Sequence, residues 1–196
     1  PISPGYMEAG WYGFKQVADR GLGEQGKRSI SQCPRCETGI ANNEVEYDQV
    51  EDPSIYVKFS LSDREGSLVI WTTTPWTIPA NTFVGVGEEL TYQKVRATTG
   101  DDEDVLYIAA ECVDDVLGKG RYDDYEIEVE LDGADLVGWA HDHPLAEDAP
   151  DYPTLEGAGA VYPADFVEAV RTGPVPSAPA HGHEHFPRGP QPGLHT

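Results

Sequence analysis

Three consecutive threonines, Thr72, Thr73 and Thr74, stand where the apolar run Ser67-Leu-Val-Ile-Trp71 ends. Pro75 and Pro79 follow, and neither a central strand nor a helix continues freely through them. Trp71 and Trp76 flank the hydroxyls. A strand end that presents clustered hydroxyls between large aromatics can floor a small polar pocket. The competing reading is a Thr-rich edge strand before a Pro-rich turn. Three adjacent threonines cannot share one face of a strand, so part of the cluster can be ordinary β-former usage.

Cys33 and Cys36 have the two-residue spacing of a zinc knuckle, but a closed structural site needs four ligands. Cys112 is the one other cysteine in the chain and sits in a predicted helix, where a buried free thiol is expected. The CxxC therefore reads as a half-site for zinc, with two unliganded knuckle cysteines as the alternative. His181, His183 and His185 alternate, and on an extended strand they would share one face toward a metal. His141 and His143 lie in an acidic stretch and are expected to be solvent-exposed. The chain has no G-x-S-x-G elbow, no P-loop and no dinucleotide fingerprint.

These residues need elements to position them. Met7, Trp11, Phe14 and Val17 have helical spacing, which predicts a helix and its exit over 6–28, with Gly21 and Gly23 ending the run. Residues 29–43 read as a turn-rich knuckle. Strands are predicted at 45–50, 54–60, 67–72, 82–86, 92–97, 105–109 and 125–131, with shorter ones near 136–138 and 159–162. Glu111 to Leu117 reads as one short helix closed by Gly118 and Gly120. From Pro174 to Thr196 the chain is rich in Pro, His and Gly and reads as loop. Many short strands with few helices give a mainly β, α+β expectation: a partly closed β-barrel with a short N-terminal helix and the CxxC knuckle. The expected division is a connecting helix and knuckle over 1–43 and the β domain over 44–196.

A chain of 196 residues holds one good core, and four Trp with ten Tyr argue against disorder. No apolar run approaches the roughly 20 residues of a membrane span, so no membrane partner is expected. Three cysteines are too few for a disulfide scaffold, which makes a reducing, cytoplasmic compartment the default. The absence of an initiator Met reads as an internal fragment. The net charge of -22 comes from 35 acidic and 13 basic residues, and the acids are dispersed along the chain. Such a surface repels free nucleic acid at ordinary salt. Either no nucleic acid is a partner, or the chain is built for a high-salt cytoplasm, where screening is short-ranged.

The full string from Ser67 to Asn81 resembles the threonine-rich signature of the editing domain inserted in class I isoleucyl-tRNA synthetases. The form Thr74-Pro-Trp-Thr77 points to the isoleucyl branch. Cys33-Pro-Arg-Cys36, Ala41-Asn-Asn-Glu-Val-Glu-Tyr47 and Asp52-Pro-Ser-Ile-Tyr-Val-Lys-Phe59 resemble the segment leading into that insertion. Tyr162-Pro-Ala-Asp-Phe166 and Ala178-Pro-Ala-His-Gly182 resemble its far end. The dispersed acidity is similar to that of archaeal, salt-adapted members, and this reconciles the charge with a tRNA substrate.

The resemblance implies a β-barrel editing domain that hydrolyses valyl-tRNA(Ile). Thr72, Thr73 and Thr74 would line the catalytic site. Trp71, Trp76, Asn81, His181 and Gly182 would contact substrate. Partners would be the tRNA(Ile) 3′ end and the rest of the synthetase chain. Hydrolysis would need no cofactor; ATP would serve only the parent enzyme. Zinc at Cys33 and Cys36 would be completed by a second CxxC beyond the insertion. The chain departs from the family where a histidine is expected and Pro176 stands, and where an aspartate for the substrate ammonium is expected and His185 stands. Two other functions compete: a tRNA 3′-end-binding or structural module without hydrolysis, and an acidic zinc-binding β-domain.

Overall fold

The computed structural model describes residues 2–23, 30–146, 158–168 and 172–178. Helix α1 (Pro4–Asp19) opens the chain, with Pro4 in its first turn. It ends where Arg20 caps it and Gly21, one of the two glycines expected to end the run, turns left-handed at φ 67°. None of its residues is buried. Residues 45–50, expected as a strand, form no strand pairing among the described residues, and Tyr47 stands 95% exposed. Alternation there had no neighbouring strand to meet.

Strands β1 (Ile55–Ser60) and β2 (Ser67–Thr72) form an antiparallel hairpin in register from Ile55 opposite Thr72 to Ser60 opposite Ser67. Leu68, Val69 and Ile70 of β2 are all buried, which is why this strand reads as a continuous apolar run. A 3-10 helix (Pro75–Ala80) follows, then β3 (Phe83–Val86), buried throughout. Strands β4 (Thr91–Thr99) and β5 (Asp102–Ala109) form a second hairpin. Helix α2 (Val113–Gly120) packs Val113, Val116 and Leu117 inward; Arg121, rather than a glycine, takes the left-handed cap position at φ 59°. Strand β6 (Asp124–Asp132) pairs with β4, and β7 (Ala160–Pro163) and β8 (Val175–Ser177) flank β3.

The strands make two sheets, β1-β2-β5-β4-β6 and β7-β3-β8. The expected α+β mixture is present, but the barrel is not closed. β1 and β6 remain open edges of the larger sheet, and β2 meets β5 through only Ser67–Leu106 and Leu68–Tyr107. One cluster of buried apolar residues spans both sheets, from Phe59, Leu68 and Ile70 through Val84, Tyr92, Leu106 and Ile108 to Val116, Leu136 and Val161.

Two local expectations fail for identifiable reasons. Residues near 136–138 continue a helical turn, α3 (Gly133–Leu136), because Asp132 and Asp135 form a reciprocal capping box. Strand β8 lies in a stretch read as loop. Pro176 sits in it opposite Val84, and β8 is an edge strand, where a missing N–H is tolerated. No described helix is long and apolar enough to cross a membrane.

Candidate active-site cleft

The threonines lie where β2 gives way to the 3-10 helix. Thr72 is buried, and its Oγ1 accepts the Thr74 backbone N–H at 3.0 Å and lies 3.1 Å from Thr74 Oγ1. Thr77 Oγ1 donates to the Thr74 carbonyl at 2.8 Å. Threonine hydroxyls thus close the bend that Pro75 begins, a local side-chain substitute for backbone pairing. Among the described residues, Thr73 makes no side-chain hydrogen bond. Of the three, its hydroxyl is the one left free for a ligand.

A cleft of ≈ 370 Å³ opens beside this bend. One wall is Trp71, Thr72, Thr73, Thr74 and Thr77; the other is Phe166, Glu168, Val175, Pro176 and Ala178. The second wall is held from behind. Buried Asn81 donates through Nδ2 to the Phe83 carbonyl at 3.0 Å and the Ser177 carbonyl at 3.3 Å, tying β8 to β3. Gly173, at φ 89°, lets the chain enter β8 against β5: a Cβ there would stand 2.6 Å from Ala109 Cβ. Ala164 N–H donates to the Val86 carbonyl at 2.8 Å and Val167 N–H to the Ala164 carbonyl at 3.0 Å, which fixes the turn carrying Phe166 and Glu168. Among the described residues, Glu168 is the one ionisable side chain that lines the cleft.

The fold brings Trp71, Thr72, Thr73 and Thr74 together with Pro176. Trp76 does not line the cleft and stands 69% exposed. Asn81 lies behind the cleft as a clamp rather than in it. His181, Gly182, His183 and His185 lie outside the described residues. Thr77, Phe166, Glu168, Val175 and Ala178 were not foreseen. Thr77 was legible as one 3-10 turn beyond Thr74; the others come from sequence about a hundred residues away.

The expected exposure of His141 and His143 is wrong. They are 4% and 5% exposed, packed edge-on against Phe59. Leu145 N–H donates to His143 Nδ1 at 3.1 Å, which assigns the ring proton to Nε2, 2.8 Å from the Ile78 carbonyl. His143 therefore braces the 3-10 helix that follows the threonines. Burial pushes the His141 ring below its ordinary range, and its Nε2 has no hydrogen-bond partner among the described residues. An acidic neighbourhood in sequence did not reveal that the sheets close over these rings.

At the knuckle, Gln32 and Gly39 bridge across a turn, and Cys36 N–H points at Cys33 Sγ at 3.4 Å. Backbone N–H groups of Cys36 and Arg35 hold the Cys33 thiol below its ordinary value, which favours the thiolate a metal would use. Among the described residues, no third His, Cys, Asp or Glu joins this pair. Cys112 is buried, as expected.

No protein-family model matches the chain. It is 63% identical over 195 residues to the isoleucine–tRNA ligase of Haloquadratum walsbyi, covering 100% of this chain and 18% of that protein. Against the isoleucine–tRNA ligase of Natronomonas pharaonis it is 63% identical over 193 residues, covering 98% and 18%. The isoleucine–tRNA ligase of Methanoculleus marisnigri is 45% identical over 194 residues, again covering 98% and 18%. The chain thus spans 18% of the length of these relatives. Among solved structures, GlLeuRS-CP1 aligns with TM-score 0.45 at 18% identity, covering 61% of this chain and 42% of that one. The cytosolic leucyl-tRNA synthetase editing domain of P. falciparum aligns with TM-score 0.43 at 13% identity, covering 60% and 42%.

Proposed function

We infer, for a chain homologous along its whole length to a segment of isoleucine–tRNA ligases, that its threonine cleft is a hydrolytic editing site. The reaction is post-transfer: cleavage of the ester joining a wrong amino acid to the 3′-terminal adenosine of tRNA(Ile). That amino acid is valine, one methylene smaller than isoleucine. The isoleucine–valine pair is the standard illustration of how little one methylene discriminates, about 1–3 kcal/mol, so a second sieve is needed. The observation that carries this reading is the cleft itself, where a free Thr73 hydroxyl lies in a bend locked by its two neighbours.

In this reading water attacks the ester carbonyl carbon. The bond to the ribose oxygen breaks, and that oxygen leaves with a proton. The Thr73 hydroxyl donates to the carbonyl oxygen as it gains negative charge. Thr72 and Thr74 keep the bend rigid, so the donor need not reorganise. Trp71 and Phe166 bound the room for the amino-acid side chain. ATP chemistry belongs to the parent enzyme. Partners are the tRNA(Ile) 3′ end and the remainder of the ligase chain, in the cytoplasm. The net charge of -22 requires high salt for approach of the tRNA. Cys33 and Cys36 would supply two zinc ligands, with the other two from outside the described residues.

A second reading, a tRNA-end-binding module without hydrolysis, is favoured by one observation: Pro176, which offers no side-chain donor or acceptor, lines the cleft. Single-turnover deacylation of valyl-tRNA(Ile) in molar KCl separates the two. The expected result is slow hydrolysis, lowered about a hundredfold by Thr73→Ala and raised by Pro176→His. Binding of the tRNA with no hydrolysis by the chain or by Pro176→His would establish the second reading instead.

A further inference from the structure

We propose that His143 is a positioning residue that fixes the separation of the walls of the threonine cleft, and so sets which amino acid the cleft admits. This rests on the cleft being an aminoacyl-ester editing site. A site that accepts valine and refuses isoleucine decides on one methylene. The distance between its walls must then be held by buried, directional bonds.

The threonine bend runs into a helix that is short of donors of its own. Pro79 lies inside the 3-10 helix Pro75–Ala80 and contributes no N–H to it. Thr77 N–H and Oγ1 both reach back to the Thr74 carbonyl, at 3.0 Å and 2.8 Å, and the next anchor along the helix is the Ile78 carbonyl. That oxygen accepts twice, from Asn81 N–H at 2.9 Å and from His143 Nε2–H at 2.8 Å. The same Asn81 donates through Nδ2 to the Ser177 carbonyl, which also takes Thr82 N–H at 3.0 Å. Ser177 stands between Pro176 and Ala178, both of which line the cleft with the threonines. One carbonyl therefore joins the threonine bend, Asn81 and β8.

His143 holds that junction from outside it. The ring is buried, edge-on to Phe59 of β1. Its segment is tied to β1 by Asp142 N–H on the Ser60 carbonyl at 2.8 Å, and to the residue before β7 by His141 N–H on the Gly159 carbonyl at 2.7 Å. Because Leu145 N–H occupies Nδ1, the ring presents a proton, not a lone pair, to Ile78. The junction of the two walls is thus referenced to the larger sheet, which also carries β2 and its threonines.

Two substitutions separate the two ring bonds. His143→Asn places an oxygen where Nδ1 stands and keeps the bond from Leu145; His143→Gln places an amide N–H where Nε2 stands and keeps the bond to Ile78. Each variant loses one of the pair, so the two should melt alike. The measurement is single-turnover deacylation of valyl-tRNA(Ile) and isoleucyl-tRNA(Ile) in molar KCl. The 196-residue chain should favour the valyl ester by about tenfold or more. His143→Asn should shrink that ratio to about threefold or less, whereas His143→Gln should keep most of it. Equal ratios in the two variants overturn the proposal. So does a His143→Asn variant that slows both esters by the same factor, because His143 would then support the fold without setting the cleft. If the unaltered chain hydrolyses neither ester, the editing reading falls, and amide exchange decides the positioning separately. Faster exchange of the Asn81 and Thr82 N–H groups in His143→Asn than in His143→Gln upholds it; equal protection in the two overturns it.

Discussion

Residues 2–23 and 30–54 carry large apolar side chains, yet none of these is buried. Tyr6, Met7, Trp11, Tyr12 and Phe14 all lie open on α1, with Trp11 at 72% exposure. From Phe59 onward the same residue types close into one core. The difference is partnership rather than composition. β2 finds β1 and β5 within 50 residues of itself, whereas no residue of α1 is buried against the described residues. An amphipathic pattern specifies a face but not what meets that face. The chain spans 18% of the length of its relatives.

The largest contrast should come from matched aromatic truncations. Phe59→Ala empties a fully buried position and should cost the body about 3–5 kcal/mol, whereas Trp11→Ala should change stability by less than about 0.5 kcal/mol. Guanidinium melts of the two variants in molar salt compare them directly. A destabilising Trp11→Ala would mean that α1 docks on the body.

Asn81→Ala should cost less, about 1–3 kcal/mol, because it removes a buried amide that bonds two carbonyls and leaves both without that donor. Amide hydrogen exchange should show β8 losing protection before β4 and β5 do. Uniform loss across the body would show that Asn81 is not a local clamp between β3 and β8.

The smallest effect is a pH dependence confined to the body. Burial and the neighbouring His143 lower the folded pKa of His141, while the Asp142 carbonyl and carboxylate act against them. The unfolded chain then binds the proton more readily. Stability from this group is present above about pH 6.5 and is lost as the pH falls toward and through the lowered folded value. The slope should not exceed about 1.4 kcal/mol per pH unit, and His141→Gln should flatten it. Melts from pH 7.5 to 5 read this; an unchanged slope in His141→Gln assigns the acid sensitivity to other groups.

How much was legible follows how local each cause was. β2 was predicted over the residues it occupies, because Leu68 to Ile70 are apolar and bounded by a threonine–proline stop. The α2 region and β6 were likewise close, their periodicities being unbroken. β8 was hidden by Pro176, whose presence argues against a strand unless the strand is known to be an edge. α3 was hidden by a capping box that only its own backbone geometry reveals.

The same division holds at the cleft. By itself the sequence determined the threonine wall, because Thr72, Thr73, Thr74 and Pro75 make their bend from neighbours within a few residues. It also determined the acidic surface, which is a matter of counting, and the likeness to isoleucine–tRNA ligases. Tertiary structure alone decided the opposite wall. Glu168, Phe166 and Pro176 face the threonines because β8 pairs with β3 and Asn81 fixes that pairing across 96 residues of chain. It decided, too, that Thr73 is the free hydroxyl and that His141 and His143 are interior. Hydrogen-bond partners and burial depend on which distant segments meet, and no spacing along one chain carries that information.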